Sequence, residues 1–139
     1  MKKVIIVASI LIIVIAIVLA ILFWLNLTKE TILITYEETL VSYEIYSKGT
    51  MIYYSEDGTI KKKITKEELE MLTELMNIRV NDSEALLEDV EKNKTILNQE
   101  WKCNAYYNEQ LISLNYNFAD SNVALIEYIW KLEDRYFRG

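Results

Sequence analysis

The chain has 139 residues, with 21 aspartate and glutamate side chains against 15 lysine and arginine side chains. Its net charge of −6 argues against nucleic acid as a partner, because such proteins need a basic surface that displaces counterions from phosphates. There is no histidine, which removes the commonest general base and the commonest metal ligand, and three glycines are too few for a phosphate-binding loop. The composition therefore predicts no metal, no cofactor and no enzyme.

An uncharged apolar segment runs from Val4 to Leu25. As a helix of 22 residues it would span about 33 Å, close to the roughly 30 Å hydrocarbon core of a bilayer. Lys2 and Lys3 precede it, which favours a cytoplasmic start and places the rest of the chain outside the cell membrane. The residues that mark this single-pass anchor, including the aromatic pair at its far end, are Val4, Leu11, Val18, Phe23, Trp24 and Leu25.

A cleaved signal peptide is the alternative to a retained anchor. Val18-Leu19-Ala20 has residues that a peptidase would accept, but Ile21 to Leu25 stays apolar where a cleavage region should turn polar. We therefore predict a retained anchor over residues 1–25, a juxtamembrane linker over residues 26–37 and one extracytoplasmic domain over residues 38–139. Within the linker, Ile32-Leu33-Ile34 is either a strand or a buried connection.

A β-meander opens the predicted domain. Polar and apolar side chains alternate from Thr39 to Tyr46, which is typical of a half-buried strand. Ser47-Lys48-Gly49 is predicted as a three-residue hairpin loop that pairs Ile45 with Met51 and so keeps one apolar face across both strands.

The next turn of the meander is predicted at Asp57-Gly58, a frequent hairpin dipeptide. That turn would pair Met51 with Ile64 and Ser55 with Ile60. The apolar face then extends across three strands.

Two helices should follow. Thr65-Lys66-Glu67-Glu68 has the pattern of a capping box, and Asp82 is expected to start a second, shorter helix. The side chains predicted to face inward from these helices are Leu69, Leu72, Leu75, Met76, Leu86, Leu87 and Val90.

A second hairpin and a last helix complete the domain. A two-residue turn at Asn108-Glu109 is expected between two strands, and Asp120 is expected to cap the helix. The pairs that this turn predicts are Ala105 with Ile112, Cys103 with Leu114, and Trp101 with Tyr116. The order βββ-αα-ββ-α indicates an α+β fold, in which helices cover one face of an antiparallel five-stranded sheet.

Three tyrosines are candidate binding residues. Tyr46, Tyr54 and Tyr106 fall on the polar phases of their strands, and if they are neighbours they form an exposed aromatic platform for a glycan or protein partner. The alternative is that tyrosine is simply a good strand former. The other strand and helix tyrosines with an apolar phase are predicted in the core: Tyr43, Tyr53, Tyr116 and Tyr136.

The remaining polar and reactive residues carry structural explanations. Cys103 is predicted as a small core residue, because its strand phase points inward. Lys61-Lys62-Lys63 is predicted to guard an edge strand against aggregation, or to reach lipid headgroups. The adjacent acid pairs fall on turns and exposed helix faces, so no catalytic pair is expected among them.

The leading functional hypothesis is a non-enzymatic interaction module of a bacterial envelope, anchored to the bilayer through residues 4–25, whose acidic domain binds another envelope protein. The alternatives are an immunity or inhibitor protein that neutralises a basic toxin or hydrolase, and a ligand-sensing domain that uses the tyrosine face. An enzyme would require a deep cleft with two facing acids.

Overall fold

The computed structural model of the protein describes residues 1–92 and 100–138, apart from the side chains of residues 27, 28 and 92. The chain divides into two separately packed units, Met1–Glu30 and Thr31–Gly139. The first unit is helix α1, Lys2–Thr28. Its segment Lys2–Asn26 contains an 18-residue window with a mean hydropathy of 3.6 and no buried residue, so it is long and apolar enough to cross a membrane.

The second unit is an antiparallel sheet with helices, and the predicted α+β class is confirmed. The sheet has six strands in the order β4-β3-β2-β1-β5-β6. In chain order the elements are β1 Ile32–Glu37, β2 Ser42–Tyr46, β3 Thr50–Ser55, β4 Gly58–Lys63, α2 Lys66–Val80, α3 Ser83–Lys92, β5 Lys102–Tyr107, β6 Gln110–Ser113, α4 Asp120–Glu133 and a π-helical turn, Asp134–Arg138.

Strand β1 accounts for the difference from the five strands predicted. It comes from the segment that the sequence suggested as a juxtamembrane linker, and it pairs antiparallel with both β2 and β5. Ile34 and Tyr36 on its inner face are buried. The meander and the second hairpin therefore form one continuous sheet only because β1 lies between them.

The hairpin of β2 and β3 has the predicted register, with Ile45 opposite Met51 and Gly49 in the loop at a φ of +92°. The predicted register of β3 with β4 was wrong by two residues, since Met51 lies opposite Lys62 and Ser55 opposite Gly58. The turn is formed by residues 56 and 57, and Gly58 follows it with a φ of +126°, as in turns that end in a glycine bulge. A shift of two residues keeps each side chain on its predicted face.

The hairpin of β5 and β6 turns at Asn108 and Glu109, whose φ angles of 47° and 65° suit a two-residue hairpin loop. Ala105 lies opposite Ile112, as predicted. The backbone N–H of Leu114 donates to Cys103 O (2.8 Å), which agrees with the second predicted pair.

The third predicted pair, Trp101 with Tyr116, was wrong because β6 ends early. The side chain of Asn115 takes the place of the backbone hydrogen bonds that a longer β6 would make to β5. Its Oδ1 accepts from Cys103 N (2.7 Å) and its Nδ2 donates to Trp101 O (2.6 Å). Tyr116, which was predicted in the core, therefore lies outside the strand and is 47% exposed, as is Phe118 at 77%.

Helix α2 has the predicted capping box, in which Thr65 and Glu68 each accept the other's backbone N–H at 3.2 and 3.1 Å. Helix α4 is capped by Ala119 without a side-chain hydrogen bond, so the prediction that Asp120 caps it was wrong. The core lies between α2, α4 and the inner face of the sheet. Its fully buried members include Ile34, Tyr43, Ile45, Met51, Leu72, Cys103, Leu114, Leu125 and Ile129.

The orientation predicted for α3 was wrong. Leu87 and Val90 are 62% and 64% exposed, and Leu86 is also exposed, while Ala85 is buried. Asp89, one turn after Ala85, accepts two hydrogen bonds of 2.7 Å from the guanidinium of Arg79. This polar contact, rather than the apolar stripe, sets which side of α3 faces the domain.

Arg79 is fully buried at the end of α2 and joins three helices. Its Nη2 donates to both carboxylate oxygens of Asp89, and its Nε donates to Asn122 Oδ1 in α4 at 2.7 Å. Asn117 Nδ2 supports the same carboxylate at 2.9 Å, and Asn122 Nδ2 donates to Leu114 O at 2.8 Å. Among the residues that the structure describes, Nη1 alone of the Arg79 nitrogens is buried without a hydrogen-bond partner.

The Arg79 network gives the first prediction. We expect Arg79→Met to lower the free energy of unfolding by about 3 kcal/mol, because it removes the cation that pairs with the Asp89 carboxylate and the donor to the Asn122 carbonyl. Urea unfolding of the full chain in detergent, followed by near-ultraviolet circular dichroism, measures this loss. The double variant Arg79→Met with Asp89→Asn should lose less stability than the sum of the losses of the two single variants. A loss below about 1 kcal/mol for Arg79→Met alone would contradict the prediction.

Candidate functional site

A cavity of about 380 Å³ opens where β1, the start of β5, the end of α4 and the π-helical turn meet. We call it the acidic cleft, and it is lined by Tyr36, Glu38, Trp101, Trp130, Glu133, Asp134 and Arg138. A neighbouring cavity of about 520 Å³ shares Glu38 and Trp101 with it and adds Thr39, Leu40 and Glu100. Aromatic walls and carboxylates therefore line two adjoining spaces.

The strand pairing explains how distant residues come together here. Tyr36 on β1 lies opposite Cys103 on β5, so the antiparallel register brings Glu38 towards Trp101. The backbone N–H of Glu38 donates to Val41 O (2.8 Å), which turns the chain directly after β1. The bond from Asn115 Nδ2 to Trp101 O holds the start of β5.

The aromatic side of the acidic cleft consists of three rings. The Tyr36 and Trp101 rings are stacked with centroids 6.0 Å apart and planes 22° apart. The Trp130 ring meets that of Trp101 edge to face, at 5.7 Å and 65°. The two indoles thus form an angled corner, and Trp130 remains 39% exposed.

The acidic side is dominated by Glu133, which lies one helical turn after Trp130 on α4 and is 3% exposed. Arg138 Nη2 lies 2.9 Å from Glu133 Oε1, but the contact lacks hydrogen-bond geometry. Burial raises the pKa of the Glu133 carboxyl, and the nearby Arg138 guanidinium opposes that rise. The charge of Glu133 in turn raises the pKa of Arg138.

Two tyrosines lie close to these carboxylates. The Tyr36 hydroxyl donates to Glu38 Oε1, and burial together with that carboxylate raises the pKa of Tyr36. The Tyr43 hydroxyl is buried without a hydrogen-bond partner among residues 1–92 and 100–138. Its pKa is raised by burial first and then by the negative charge of Glu133. The acidic cleft therefore has more negative charge than its own donors neutralise.

The predicted tyrosine platform is only partly assembled. Tyr46 and Tyr54 converge on Glu44, whose Oε2 is 2.5 Å from the Tyr46 hydroxyl and 3.5 Å from the Tyr54 hydroxyl. Tyr106 has the same outward phase but is on β5, with β1 between it and β2, so about 10 Å of sheet separates it from the pair. A binding role for these residues stays a prediction.

The other singled-out residues lie as follows. All six residues named for the anchor are exposed along α1. Lys61, Lys62 and Lys63 are exposed on β4, which is an edge of the sheet as the guard interpretation requires. Cys103 is fully buried, as predicted. In the part of the chain that the structure describes, no three His, Cys, Asp or Glu side chains are grouped so as to hold a metal ion.

The sequence does not reveal the acidic cleft. The strand phase of Trp101 and the helical spacing of Trp130 with Leu125, Ile126 and Ile129 predict both rings in the core, and the acid pairs are predicted on turns and exposed faces. One signal was present: Trp130 and Glu133 are three apart, so they share a helix face. Comparison of the chain with protein-family models, with curated proteins and with solved structures finds no match. Any functional argument therefore depends on the geometry of the chain itself.

The buried acid gives a prediction about pH. Because folding raises the pKa of Glu133, the folded state favours the protonated carboxyl, and stability falls as the pH rises above the ordinary value of 4.5. We expect Glu133→Gln to be more stable than the natural chain at pH 7 and equal to it near pH 4. Thermal unfolding across this range measures the difference.

Arg138→Met is the matched variant for this measurement. It removes the cation that opposes the pKa rise of Glu133, so it should lower stability at pH 7 but have less effect near pH 4. If the stability of each variant differs from that of the natural chain by the same amount at every pH, the raised pKa of Glu133 is contradicted.

The buried thiol of Cys103 gives a prediction about chemical reactivity. Burial raises its thiol pKa to about 12, so the folded chain presents almost no thiolate at pH 8. We expect iodoacetamide to modify the folded chain at least about a hundredfold more slowly than the urea-unfolded chain. Mass spectrometry of quenched samples gives both rates, and equal rates would contradict the burial.

Proposed function

We propose that the protein is a membrane-anchored, non-enzymatic interaction module held outside the cytoplasm, whose acidic domain binds another protein of a bacterial envelope. The supporting observation is the division of the chain into two units with opposite surfaces. The helix is uncharged and almost wholly apolar from Val4 to Leu25 and is exposed there, whereas Thr31–Gly139 packs around its own core. A bilayer would cover the first unit, and the second needs no such cover.

The orientation follows from the basic residues beside the helix. Lys2 and Lys3 precede the apolar segment Val4–Leu25, while Lys29 beyond its other end is followed at once by Glu30. Lysine and arginine near a membrane helix stay predominantly on the cytoplasmic side. We therefore assign the domain to the outer side of the cytoplasmic membrane.

The charge of the domain indicates the chemistry of its partner. Since only Lys2 and Lys3 precede the apolar segment, the rest of the chain has 13 basic and 21 acidic side chains, a net charge of −8. A negative field attracts a positively charged protein and repels anionic headgroups and nucleic acid. This supports a basic protein partner, which is also the chemistry that the immunity or inhibitor hypothesis requires.

One observation favours a second candidate, a glycoside hydrolase. Glu133 and Glu38 line the same cavity, burial raises the pKa of Glu133, and tryptophans stand beside them. Two carboxyl groups across a cavity, one of them with a raised pKa, resemble the arrangement of that class. Against it, Glu133 is almost wholly buried and lies against Arg138, so its proton has little access to a glycosidic oxygen.

Topology tests the leading proposal. In spheroplasts that carry the full chain with a C-terminal tag, added protease should remove the tag, and the uncleaved chain should fractionate with membranes. Lys2→Gln, Lys3→Gln and Glu30→Lys together reverse the basic bias, and they should protect part of the tag. A tag protected in the natural chain would place the domain in the cytoplasm and contradict the proposal.

A further inference from the structure

We propose that the acidic cleft is the recognition site of this domain and that it binds an arginine or lysine side chain on a basic segment of the protein partner. The identity of the partner as a protein rests on the proposed function, whereas the chemistry of the site rests on the acidic cleft alone. Three observations carry it: the indole corner, the excess of carboxylates and the intramolecular guanidinium already present.

The indole corner suits a cation in shape and in electrostatics. The faces of aromatic rings carry negative potential, and tryptophan attracts ammonium and guanidinium groups more strongly than tyrosine or phenylalanine does. Trp101 and Trp130 meet at 65° with their centroids 5.7 Å apart, so the two rings touch each other, and a cation would lie against the exposed part of Trp130 in the angle that they form. Stacking on Tyr36 holds the Trp101 ring in that orientation.

The carboxylates supply the charge. Glu38, Glu133 and Asp134 line the acidic cleft against one cation, Arg138, so its side chains carry a net negative charge when ionised. Glu38 is held in place by the Tyr36 hydroxyl at the edge of the corner. A cation placed there would be desolvated against indole and paired with a carboxylate that needs no reorganisation.

Arg138 shows that a guanidinium fits beside the buried acid. Its Nη2 is 2.9 Å from Glu133 Oε1, yet its side chain is 53% exposed and makes no well-directed hydrogen bond to that oxygen. This leaves the Glu38 side of the acidic cleft for the partner's cation. The pKa of Glu133, raised by burial, would fall when a second cation binds nearby.

The neighbouring cavity extends the site beyond a single side chain. It continues past Glu38 and Trp101 to Leu40, which is exposed, and to Glu100. A peptide whose arginine enters the acidic cleft can place its next residues against Leu40 and a second basic group near Glu100. A free small cation would use only the first space.

The test uses the full chain with Trp24→Phe, in neutral detergent, so that Trp101 and Trp130 report by fluorescence. The probes are the blocked peptides Gly-Arg-Leu-Lys-Gly and Gly-Nle-Leu-Nle-Gly, in which norleucine replaces each basic residue, and argininamide. We expect the basic peptide to bind and the norleucine peptide to bind at least about tenfold more weakly. Its affinity should also fall as salt is raised.

Variants assign the binding to the acidic cleft. Glu38→Gln should lower the affinity for the basic peptide about tenfold. Glu70→Gln, which removes an exposed acid on α2, should change that affinity by less than about twofold. Trp130→Phe keeps an aromatic ring at this position and Trp130→Leu removes it, so Trp130→Phe should lower the affinity for the basic peptide less than Trp130→Leu does. Unchanged affinity in Glu38→Gln, or equal binding of the norleucine peptide, would overturn the proposal.

Two further outcomes separate the alternatives. If argininamide binds as tightly as the peptide, the ligand is a small cation and the proposal of a protein segment is overturned. If a neutral oligosaccharide displaces the peptide at lower concentration, the site is a glycan site and the proposal is again overturned. Failure here is also distinct from failure of the anchored-module proposal. If the peptide binds but the tag is protected from protease, only the location of the domain outside the cytoplasm is contradicted. If protease removes the tag but the peptide does not bind, only the proposal for the acidic cleft is contradicted.

Discussion

The domain depends on the buried guanidinium of Arg79. A charge removed from water must find ionic and hydrogen-bonding partners inside the protein, or folding becomes strongly unfavourable. Asp89 and Asn122 meet that requirement with bonds of 2.7 Å, and these residues belong to α3 and α4. The positions of two helices are thus fixed by one side chain of a third, and α3 turns its apolar Leu87 outward because Asp89 must point inward.

The same constraint positions the acidic cleft. Asn122 fixes the first turn of α4 to Arg79 and, through its Nδ2, to Leu114 O at the end of β6. A straight helix then projects Glu133 about 16 Å further along, from a rigid element rather than from a loop. Tyr36 approaches from the central strand β1, so Tyr36 and Glu133 are carried by a strand and a helix of the core, while Glu38 and Trp101 lie next to the ends of their strands. A site built this way keeps its geometry without a ligand.

Local signals in the sequence predicted most of the fold. The box of Thr65 and Glu68, the turn at Asn108 and the register of Ile45 with Met51 each depend on a few neighbouring residues. The failures depend on partners distant in sequence, as with Asn115 taking over the ladder from β6, or Asp89 outweighing the leucines of α3. The acidic cleft could not be predicted for the same reason. Its lining comes from three separate segments of the chain, and only the spacing of residues 130 and 133 is visible locally.

Arg79 and Glu133 show two treatments of a buried charge in one domain. Arg79 makes three short hydrogen bonds, one of them to a neutral amide and two to a carboxylate, which is how a structural ion is stabilised. Glu133 has the Arg138 guanidinium and the Tyr43 hydroxyl beside it, and both lower its pKa, but burial has the larger effect and its pKa rises. A glutamine there would be easier to fold at neutral pH. An acid kept at a cost to stability, in a cavity lined by tryptophan, is expected where the missing stabilisation comes from a bound cation.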